Sequence, residues 1–545
     1  MGIAPEPLSI RFRGLLPSLP PGTDPHAFLA ERYRTLGDRF LDGLDGEFAV
    51  ALTDRERGLR LVASDPYGNR RTTIRERDGR LAVDDEIPEL AAGPVAAAAI
   101  APVRLAEFFG FAELSSGATF VPGTRDLLPG ELRIAGPGGL SSRWLPGPDP
   151  GRRLAHRRWE EAVEEFAALL GDAVARSLAG VERCAVWLSG GLDSSPLAAH
   201  AARLGRQVDG LCWQFSHPAG DELALATAVG RHAGFAVHPV PADDAGPFAD
   251  LAAWPLHPAT PEQTPYRELH ERSYRLAAAL GHRVVVSGFS GDQLYSGARR
   301  WFWTLLAAAG PGRAIDRLRE VAHAWGWRRA VRSHLLGPLL PRRRALTRYL
   351  APYLTPRARE LLEAAPYWPP DVARARRPHQ AERVLSLLDS HGGEVERWFA
   401  ARHGLELRLP LRDPRLVDFA LAAADHLFAQ GEVSRPVLRA ATRGLLPESV
   451  RRRRDKAHFG VAVTRNLAAG RLPWAGELLR RDGALWRGFV AEAAVERWLA
   501  GELPEEIDEL GFLQCLNGEL WRAARAGEPL PATGAGTTPG QAAGT

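Results

Sequence analysis

The chain has 545 residues and carries 69 basic (Lys, Arg) and 65 acidic (Asp, Glu) side chains, which leaves a formal net charge of +4. So small a charge over this length argues against nucleic-acid binding, and no run approaches the roughly 20 apolar residues of a membrane span. Three scattered cysteines argue against a disulfide framework or a zinc site. The length predicts two or more domains, and a start without an apolar signal core predicts a cytoplasmic protein.

Residues 1–150 predict a β-rich domain. Short apolar runs at 46–52, 59–64 and 131–134 are separated by turn residues, a pattern typical of strands. A segment dense in proline and glycine at 145–154 predicts a linker. Apolar residues at helical spacing then predict a helix over 159–178.

From Arg183 onward, predicted strands and helices alternate. The predicted strands cover 184–189, 208–215, 235–241 and 283–288. Such alternation predicts an α/β fold with a doubly wound parallel sheet, in which ligands bind beyond the carboxyl ends of the strands. After residue 300 the pattern is mainly helical, and the uncharged segment 529–545 predicts a disordered tail.

The most informative motif, Ser-Gly-Gly-Leu-Asp-Ser-Ser, lies between the first of these strands and a helix. Its glycines permit a tight turn that brings backbone N–H groups close to phosphate oxygens, and the helix N-terminus adds a positive dipole end. The motif therefore predicts a loop that binds the pyrophosphate of ATP, although it lacks the lysine and spacing of a Walker A loop. An ordinary strand-to-helix turn is the alternative. The residues predicted to bind are Leu188, Ser189, Gly190, Gly191, Leu192, Asp193, Ser194 and Ser195.

The aspartate in this loop predicts a metal ion. A carboxylate beside phosphates would repel them unless a divalent cation lay between, and oxygen ligands suit Mg²⁺. A second glycine-rich loop follows the strand at 283–288 and ends in Asp292, with Gly288 and Gly291 expected to line the same ATP site. We therefore predict Mg²⁺ bound by Asp193 and Asp292. Helix capping is the alternative for Asp292.

These motifs resemble the asparagine synthetase superfamily, and the resemblance covers nearly the whole chain. Gly404–Asp413 is similar to the family's G-x-E-x-R-x-P-x-x-D segment, and Leu438–Gly460 to its L-R-x-A, L-P and R-x-K-x-x-F stretch. The resemblance implies an ATP-dependent synthetase domain over 155–528, with a largely helical C-terminal part. It also implies that ATP, with Mg²⁺, is cleaved to AMP and pyrophosphate.

Two catalytic roles are implied by the same resemblance. Lys456, the only lysine in the chain, stands at the family's functional lysine. There its compact ammonium contacts phosphate and the charge that develops in the acyl-adenylate step. Glu406 matches the glutamate of the tyrosine-glutamate pair in β-lactam synthetases, which implies a proton-accepting role. A structural pairing with Arg408 or Arg412 is the alternative.

The N-terminal part is similar to the family's glutamine-hydrolysing domain, on Leu44–Ala49 and Ser64–Arg70. The resemblance implies an Ntn-type α+β sandwich over 1–150. The glutaminase reaction needs a cysteine directly after the initiator methionine. Position 2 is Gly2, and the first cysteine is Cys184. We therefore expect a degenerate amidotransferase-like domain that keeps the fold and lacks its nucleophile.

Without ammonia made in place, the nucleophile is expected to be an amine of the substrate. Phe289 stands where asparagine synthetases have glutamate and β-lactam synthetases have tyrosine, and a phenyl ring accepts no proton. A peptide α-amine, with a pKa of about 8, depends less on a base. The chain is thus most similar to lasso-peptide macrolactam synthetases. These join an Asp or Glu side chain of a precursor peptide to the peptide's N-terminal amine.

Other assignments remain open at this point. They are a glutamine-independent small-molecule amide or β-lactam synthetase, an ammonia-dependent asparagine synthetase-like enzyme, and an inactive scaffold. For a lasso-type enzyme the expected partners are the precursor peptide, a leader-binding protein and a leader peptidase. Arginine clusters at 342–344 and 451–454 are either a grip for an acidic peptide or solvated helix faces.

Overall fold

The structure, a computed structural model, describes residues 7–531 with interruptions. The interruptions are residues 21, 113–116, 150, 153, 155–157, 217–220, 296–299, 338–350, 365–391, 454–471 and 504. The predicted disordered tail therefore lies outside the described residues, apart from 529–531. The arginine cluster at 342–344 lies outside them as well.

Two antiparallel sheets and a helix form the N-terminal layers. The elements are β1 (Leu8–Leu15), α1 (Pro25–Leu36), β2 (Glu47–Asp54), β3 (Leu59–Ser64), β4 (Thr73–Arg77), β5 (Arg80–Val83), α2 (Pro102–Gly110), β6 (Arg125–Asp126), β7 (Glu131–Gly136) and β8 (Gly139–Trp144). In the part of the chain that is described, one sheet has the order β1-β2-β3-β7-β8 and the other β5-β4-β6. The strands predicted in this region are confirmed as β2, β3 and β7.

Alternating side chains hold these layers together. Leu61 and Ala63 of β3 face α1, where Leu29 and Tyr33 are buried. Val62 of the same strand points to the opposite face and packs between the two sheets. A strand that alternates in this way is apolar on both faces because each face is covered by another layer.

A third sheet, entirely parallel, follows along the chain. Its strands are β9 (Arg183–Trp187), β10 (Gln207–Gln214), β11 (Ala236–Pro241), β12 (Val284–Val286) and β13 (Glu406–Arg408). Their order within the described residues is β11-β10-β9-β12-β13, with parallel pairing throughout. The predicted parallel sheet is confirmed. Because the order reverses between β9 and β12, loops that follow these two strands flank a crevice at the carboxyl edge.

Helices dominate the rest of the chain. From residue 159 they are α3 (Trp159–Ser177), α4 (Ser194–Arg203), α5 (Leu223–Ala233), α6 (Arg267–Ala279), α7 (Gly291–Tyr295), α8 (Trp301–Trp325, kinked at Gly310), α9 (Trp327–Ala330), α10 (Pro356–Ala364), α11 (Gly392–Arg402), α12 (Pro414–Ala422), α13 (Pro436–Ala441), α14 (Glu448–Arg451), α15 (Trp474–Leu479), α16 (Glu492–Leu499) and α17 (Glu506–Arg525). A hairpin of β14 (Ala429–Gln430) and β15 (Val433–Ser434) precedes α13. Within the described ranges, no helix combines the length and apolar character that crossing a bilayer requires.

Both faces of the parallel sheet are buried. Cys184 and Val186 of β9 pack with α3, α4 and α5 on one face, whereas Ala185 packs with α6 and α11 on the other. A further apolar cluster joins α2 to the C-terminal helices through buried aromatic rings, among them Phe109, Trp498 and Trp521. Residues from the N-terminal 150 thus share a core with α15, α16 and α17.

We expect Phe166→Ala to destabilise the protein by about 3–5 kcal/mol, the usual cost of removing a buried aromatic ring. Phe166 of α3 is fully buried, and its ring lies 5.3 Å from that of Tyr295 and 5.2 Å from that of Phe419. Thermal or urea unfolding measures the change. Leu204→Ala, at a residue that is 41% exposed, is the matched control, and equal midpoints for the two variants would contradict this packing.

Candidate functional site

The first glycine-rich loop connects β9 to α4 at the centre of the parallel sheet. Gly190 has a φ of +65°, and a Cβ there would lie 2.6 Å from Cβ of Leu225. Inside the loop, the backbone N–H of Ser189 donates to Oγ of Ser194 (3.2 Å), and that of Gly191 donates to Oγ of Ser189 (3.3 Å). The loop is therefore a tight turn that only glycine permits at position 190, with two serine hydroxyls holding its shape.

The second loop, after β12, packs directly on the first. A Cβ on Gly288 would lie 2.8 Å from the backbone nitrogen of Ser194, and one on Gly291 would overlap the carboxylate of Asp193. Ser290 between them has a φ of +79°, a left-handed conformation that is strained for a serine. The two loops thus meet at the switch point of the sheet, as the sequence predicts.

The two aspartates predicted to bind Mg²⁺ face the same group. Nη1 of Arg435 contacts Oδ1 of Asp193, and Nη2 contacts Oδ1 of Asp292. Arg435 lies at the N-terminus of α13, is 7% exposed and has a φ of +52°. The guanidinium of Arg435 therefore lies between the two carboxylates.

This arrangement fits a divalent cation. Two carboxylates that converge on one positive group present the oxygen ligands that Mg²⁺ uses in phosphate sites, where waters and phosphate oxygens complete the shell. Mg²⁺ would be held by Asp193 and Asp292 and would neutralise phosphate charge. In the part of the chain that is described, no cluster of three or more His, Cys, Asp or Glu side chains forms a denser metal site.

The remaining members of the predicted ATP site have mixed positions. Leu188, Leu192, Ser194 and Ser195 are buried, and Oγ of Ser195 has no hydrogen-bond partner among the described residues. Their buried side chains pack beneath the loop backbone, on the side of the protein core. The backbone of the loop and the start of α4 are therefore the surface that a phosphate would meet.

Glu406 lies apart from the two loops. It is the first residue of β13 and pairs in register with Val284, the first residue of β12, so it lies towards the amino edge of the sheet. Its carboxylate accepts hydrogen bonds from Nε and Nη2 of Arg408 at 3.1 and 3.0 Å. The structure thus shows the pairing with Arg408 that the sequence left open. Lys456 lies outside the described residues.

Phe289 belongs to an aromatic and polar cluster on the α6 and α11 face of the sheet. It packs in the same apolar cluster as Trp187, the last residue of β9, and Trp213 near the end of β10. The imidazole of His270 lies between these two indoles, with ring centroids 4.8 Å from Trp187 and 5.2 Å from Trp213. This cluster therefore lies at the carboxyl edge, beside the nucleotide loop.

Glu396 of α11 is the charged centre of this cluster. Its carboxylate accepts hydrogen bonds from Nη2 of Arg267 (2.8 Å), Nδ1 of His270 (3.1 Å) and the hydroxyl of Tyr274 (2.8 Å). Burial by itself would raise the pKa of Glu396, but Arg267 and His270 hold that pKa well below its usual range. The carboxylate is therefore ionised at neutral pH.

A second buried charge cluster joins the N-terminal layers to the parallel sheet. The carboxylate of Glu47 in β2 pairs with Arg397 (2.8 Å) and Arg70 (3.1 Å), and Nη2 of Arg412 donates to the carbonyl of Gly68 (3.0 Å). The adjoining cavity measures about 40 Å³, enough for a few water molecules at most. The pairing of Glu47 with Arg397 therefore links β2 directly to α11.

Sequence motifs located the two loops but missed two elements of the site. Arg435 lies three residues before the Leu438-Arg439-Ala440 segment, and an arginine followed by Pro436 at a helix start was the available signal. His270 and Glu396 are 126 residues apart and form no local pattern. Only the packing of α6 against α11 brings them together.

Comparison with known proteins identifies the family of this chain. The family model described as "Asparagine synthase" matches residues 165–516, well over half of the chain. The chain therefore belongs to the asparagine synthase family, whose members are ATP-dependent enzymes that form carbon-nitrogen bonds. It is also similar to the amidase chyE of Penicillium rubens, with 30% identity over a stretch that covers 56% of this chain and 46% of that protein. The chain spans about half the length of this curated relative.

We expect Gly190→Ala to disrupt the loop more than the same change at Gly205. Both glycines have positive φ, which costs about 1–2 kcal/mol for alanine, but a Cβ at Gly205 meets nothing within 4 Å. Only Gly190→Ala adds a clash with Leu225. Thermal unfolding and nucleotide binding measure the two effects, and identical behaviour of both variants would contradict the close approach.

We expect Arg435→Met to lower the thermal midpoint, because Asp193 and Asp292 would then lose their shared contact with a guanidinium. Removing one partner of a buried pair costs about 3–5 kcal/mol, and the cost here should be smaller because Asp292 is 43% exposed. Millimolar Mg²⁺ should restore the midpoint of Arg435→Met. It should not restore that of Arg435→Met/Asp193→Asn, and equal responses would contradict a cation position between the carboxylates.

Proposed function

We propose that the protein is an ATP-dependent macrolactam synthetase. It adenylates an Asp or Glu side-chain carboxylate of a precursor peptide, releases pyrophosphate and closes the ring with the peptide's N-terminal amine. The observation that carries the proposal is the meeting of the two loops at the switch point, where Asp193 and Asp292 face one cation position beside Phe289. That arrangement favours ATP chemistry without a proton-transferring side chain at position 289.

In the first step, the backbone of the loop at 189–193 and the start of α4 bind the departing pyrophosphate. Mg²⁺, when held by Asp193 and Asp292, neutralises phosphate charge. Lys456 stabilises the charge that develops on the acyl phosphate. The peptide carboxylate attacks the α-phosphorus, so that an acyl adenylate and pyrophosphate form.

In the second step, the peptide amine attacks the adenylated carbonyl and AMP leaves. Holding both ends of one peptide in the crevice makes the attack effectively unimolecular, which alone contributes several kcal/mol to the rate. Phe289 supports this assignment because it packs beside the crevice with Trp187 and Trp213. Such apolar walls suit a peptide chain more than free ammonia.

A second candidate is a small-molecule amide or β-lactam synthetase, or an ammonia-dependent enzyme similar to asparagine synthetase. The relative from Penicillium rubens is named an amidase, and an amidase breaks the bond that a synthetase makes. ATP dependence separates these possibilities.

Under the proposed function the protein acts in the cytoplasm with partners. A precursor peptide must be delivered and its leader removed before its α-amine is free to attack. A leader-binding protein and a leader peptidase are therefore the expected partners.

The first experiment is a pyrophosphate-release assay with ATP and Mg²⁺ on three substrates. They are a leader-free peptide with an early Asp or Glu, aspartate with ammonia, and a carboxyethyl amino acid. Release with the peptide, with a product lighter by one water, supports the proposal. Release only with the small substrates supports the second candidate, and ATP-independent amide hydrolysis contradicts both.

We expect Asp193→Asn to reduce pyrophosphate release by at least about 100-fold, because the site loses a charged oxygen ligand for the cation. Asp172→Asn, at an exposed carboxylate of α3 that pairs with Arg415, is the matched control and should keep wild-type release.

Lys456→Arg should also abolish turnover without unfolding the protein. Wild-type turnover in Lys456→Arg would contradict the role of the lysine.

A further inference from the structure

The aromatic cluster beside the nucleotide loop holds a histidine in the geometry of a proton acceptor. His270 lies in the first turn of α6, and its imidazole contacts the indole of Trp187, the residue directly before the nucleotide loop begins. In a parallel sheet the carboxyl edge is where ligands bind. His270 therefore lies at the rim of the crevice that the two loops flank.

Glu396 determines the protonation pattern of this imidazole. Its ionised carboxylate accepts a hydrogen bond from Nδ1 of His270 at 3.1 Å, so Nδ1 must carry the proton. A neutral imidazole then has its lone pair on Nε2.

Nε2 is available to a ligand. Among the residues that the structure describes, Nε2 of His270 makes no hydrogen bond, and the side chain is 15% exposed. The other groups on Glu396 are Arg267 and Tyr274, and both are committed to its carboxylate. Of this cluster, only the imidazole combines an open acceptor atom with a position at the carboxyl edge.

We propose that His270, oriented by Glu396, accepts the proton of the attacking amine in the ring-closing step. The inference rests on the proposed function and assigns to a different helix the proton transfer that Phe289 cannot perform. Phe289 packs in the same apolar cluster as the two indoles around the imidazole. The base is therefore close to the position that lacks one.

The amine nitrogen forms a bond to the adenylated carbonyl carbon, and the bond from that carbon to the phosphate oxygen of AMP breaks. The proton lost by the amine moves to Nε2 of His270 and from there to solvent. The products are the amide, AMP and one proton.

Three charged or titratable groups face the imidazole of His270 from the described part of the neighbouring elements. They are Glu396 from α11, and Arg267 and Tyr274 from α6 itself, whereas β9 and β10 present the uncharged Trp187 and Trp213. Glu271, the next residue of α6, is paired with His403 at 2.7 Å. Among these groups, the carboxylate of Glu396 is the one that hydrogen-bonds the imidazole.

The test separates the two half-reactions in the full chain. Adenylation is followed by exchange of labelled pyrophosphate into ATP in the presence of the peptide, and ring closure by the mass of the product. His270→Gln should keep exchange within about twofold and slow closure by about 10²–10⁴-fold, the usual contribution of a general base. Closure in this variant should rise with pH up to the pKa of the substrate amine, about 8.

His403→Gln is the matched control. His403 also pairs with a buried glutamate, but it lies after α11, towards the amino edge of the sheet. This variant should keep both half-reactions. Added imidazole should restore closure in His270→Ala and should leave His403→Ala unchanged, a rescue that a purely structural role would not produce.

Two results would overturn the inference. One is closure at the wild-type rate in His270→Gln. The other is an equal loss of exchange and closure, with no rescue by imidazole, which would make His270 a structural residue. Failure of the proposed function is distinguishable, because the wild-type protein would then show no exchange with the peptide before any variant is made.

Discussion

The contact between the two glycine-rich loops is the constraint on which the rest of the site depends. Gly288 and Gly291 allow the loop after β12 to lie against the backbone at Asp193 and Ser194, where any side chain would clash. This close approach brings Asp193 and Asp292 to the guanidinium of Arg435. Its positive charge offsets the repulsion between the two carboxylates.

The surrounding layers hold this contact in place. The segment that precedes Arg435 is a hairpin, and Gly431 in its turn packs against the backbone of Arg317 in α8. On the outer edge of the sheet, β13 is followed by residues that bond to the N-terminal layers, among them Arg412 to Gly68. The site is thus supported by the hairpin that precedes Arg435 and by the residues that follow β13. The positions of its carboxylates depend on these two segments and on the glycine-rich loops themselves.

On the α6 and α11 face of the sheet, the proton acceptor that we propose comes from a helix and not from the loop that carries Phe289. The indoles of Trp187 and Trp213 enclose the imidazole of His270, and Glu396 anchors it from a neighbouring helix. Proton transfer needs an acceptor atom within reach of the reacting nitrogen, and it does not require that acceptor to come from one particular loop. Packing of helices on the sheet can supply it.

Local patterns in the sequence determined much of the fold and part of the site. Strands β2, β3, β7, β9 and β10 follow from apolar runs bounded by turn residues, and the two glycine-rich loops follow from their places after strands. The proximity of Asp193 and Asp292 was predictable because parallel strands end at one edge. The strands and the individual loops depend on residues close together in the chain, and the shared edge of the parallel strands then brings the two loops together.

Contacts between distant residues were decided only by the tertiary structure. The sequence left Glu406 with either a proton-accepting or a structural role, and the register of β13 with β12 places it towards the amino edge, bonded to Arg408. The pair of His270 with Glu396 carries no local signal, and the proline after Arg435 signals only a helix start. Both contacts form through the packing of segments more than 100 residues apart. Periodicity shows which face of an element is buried, but only the assembled layers determine which charged groups then face each other.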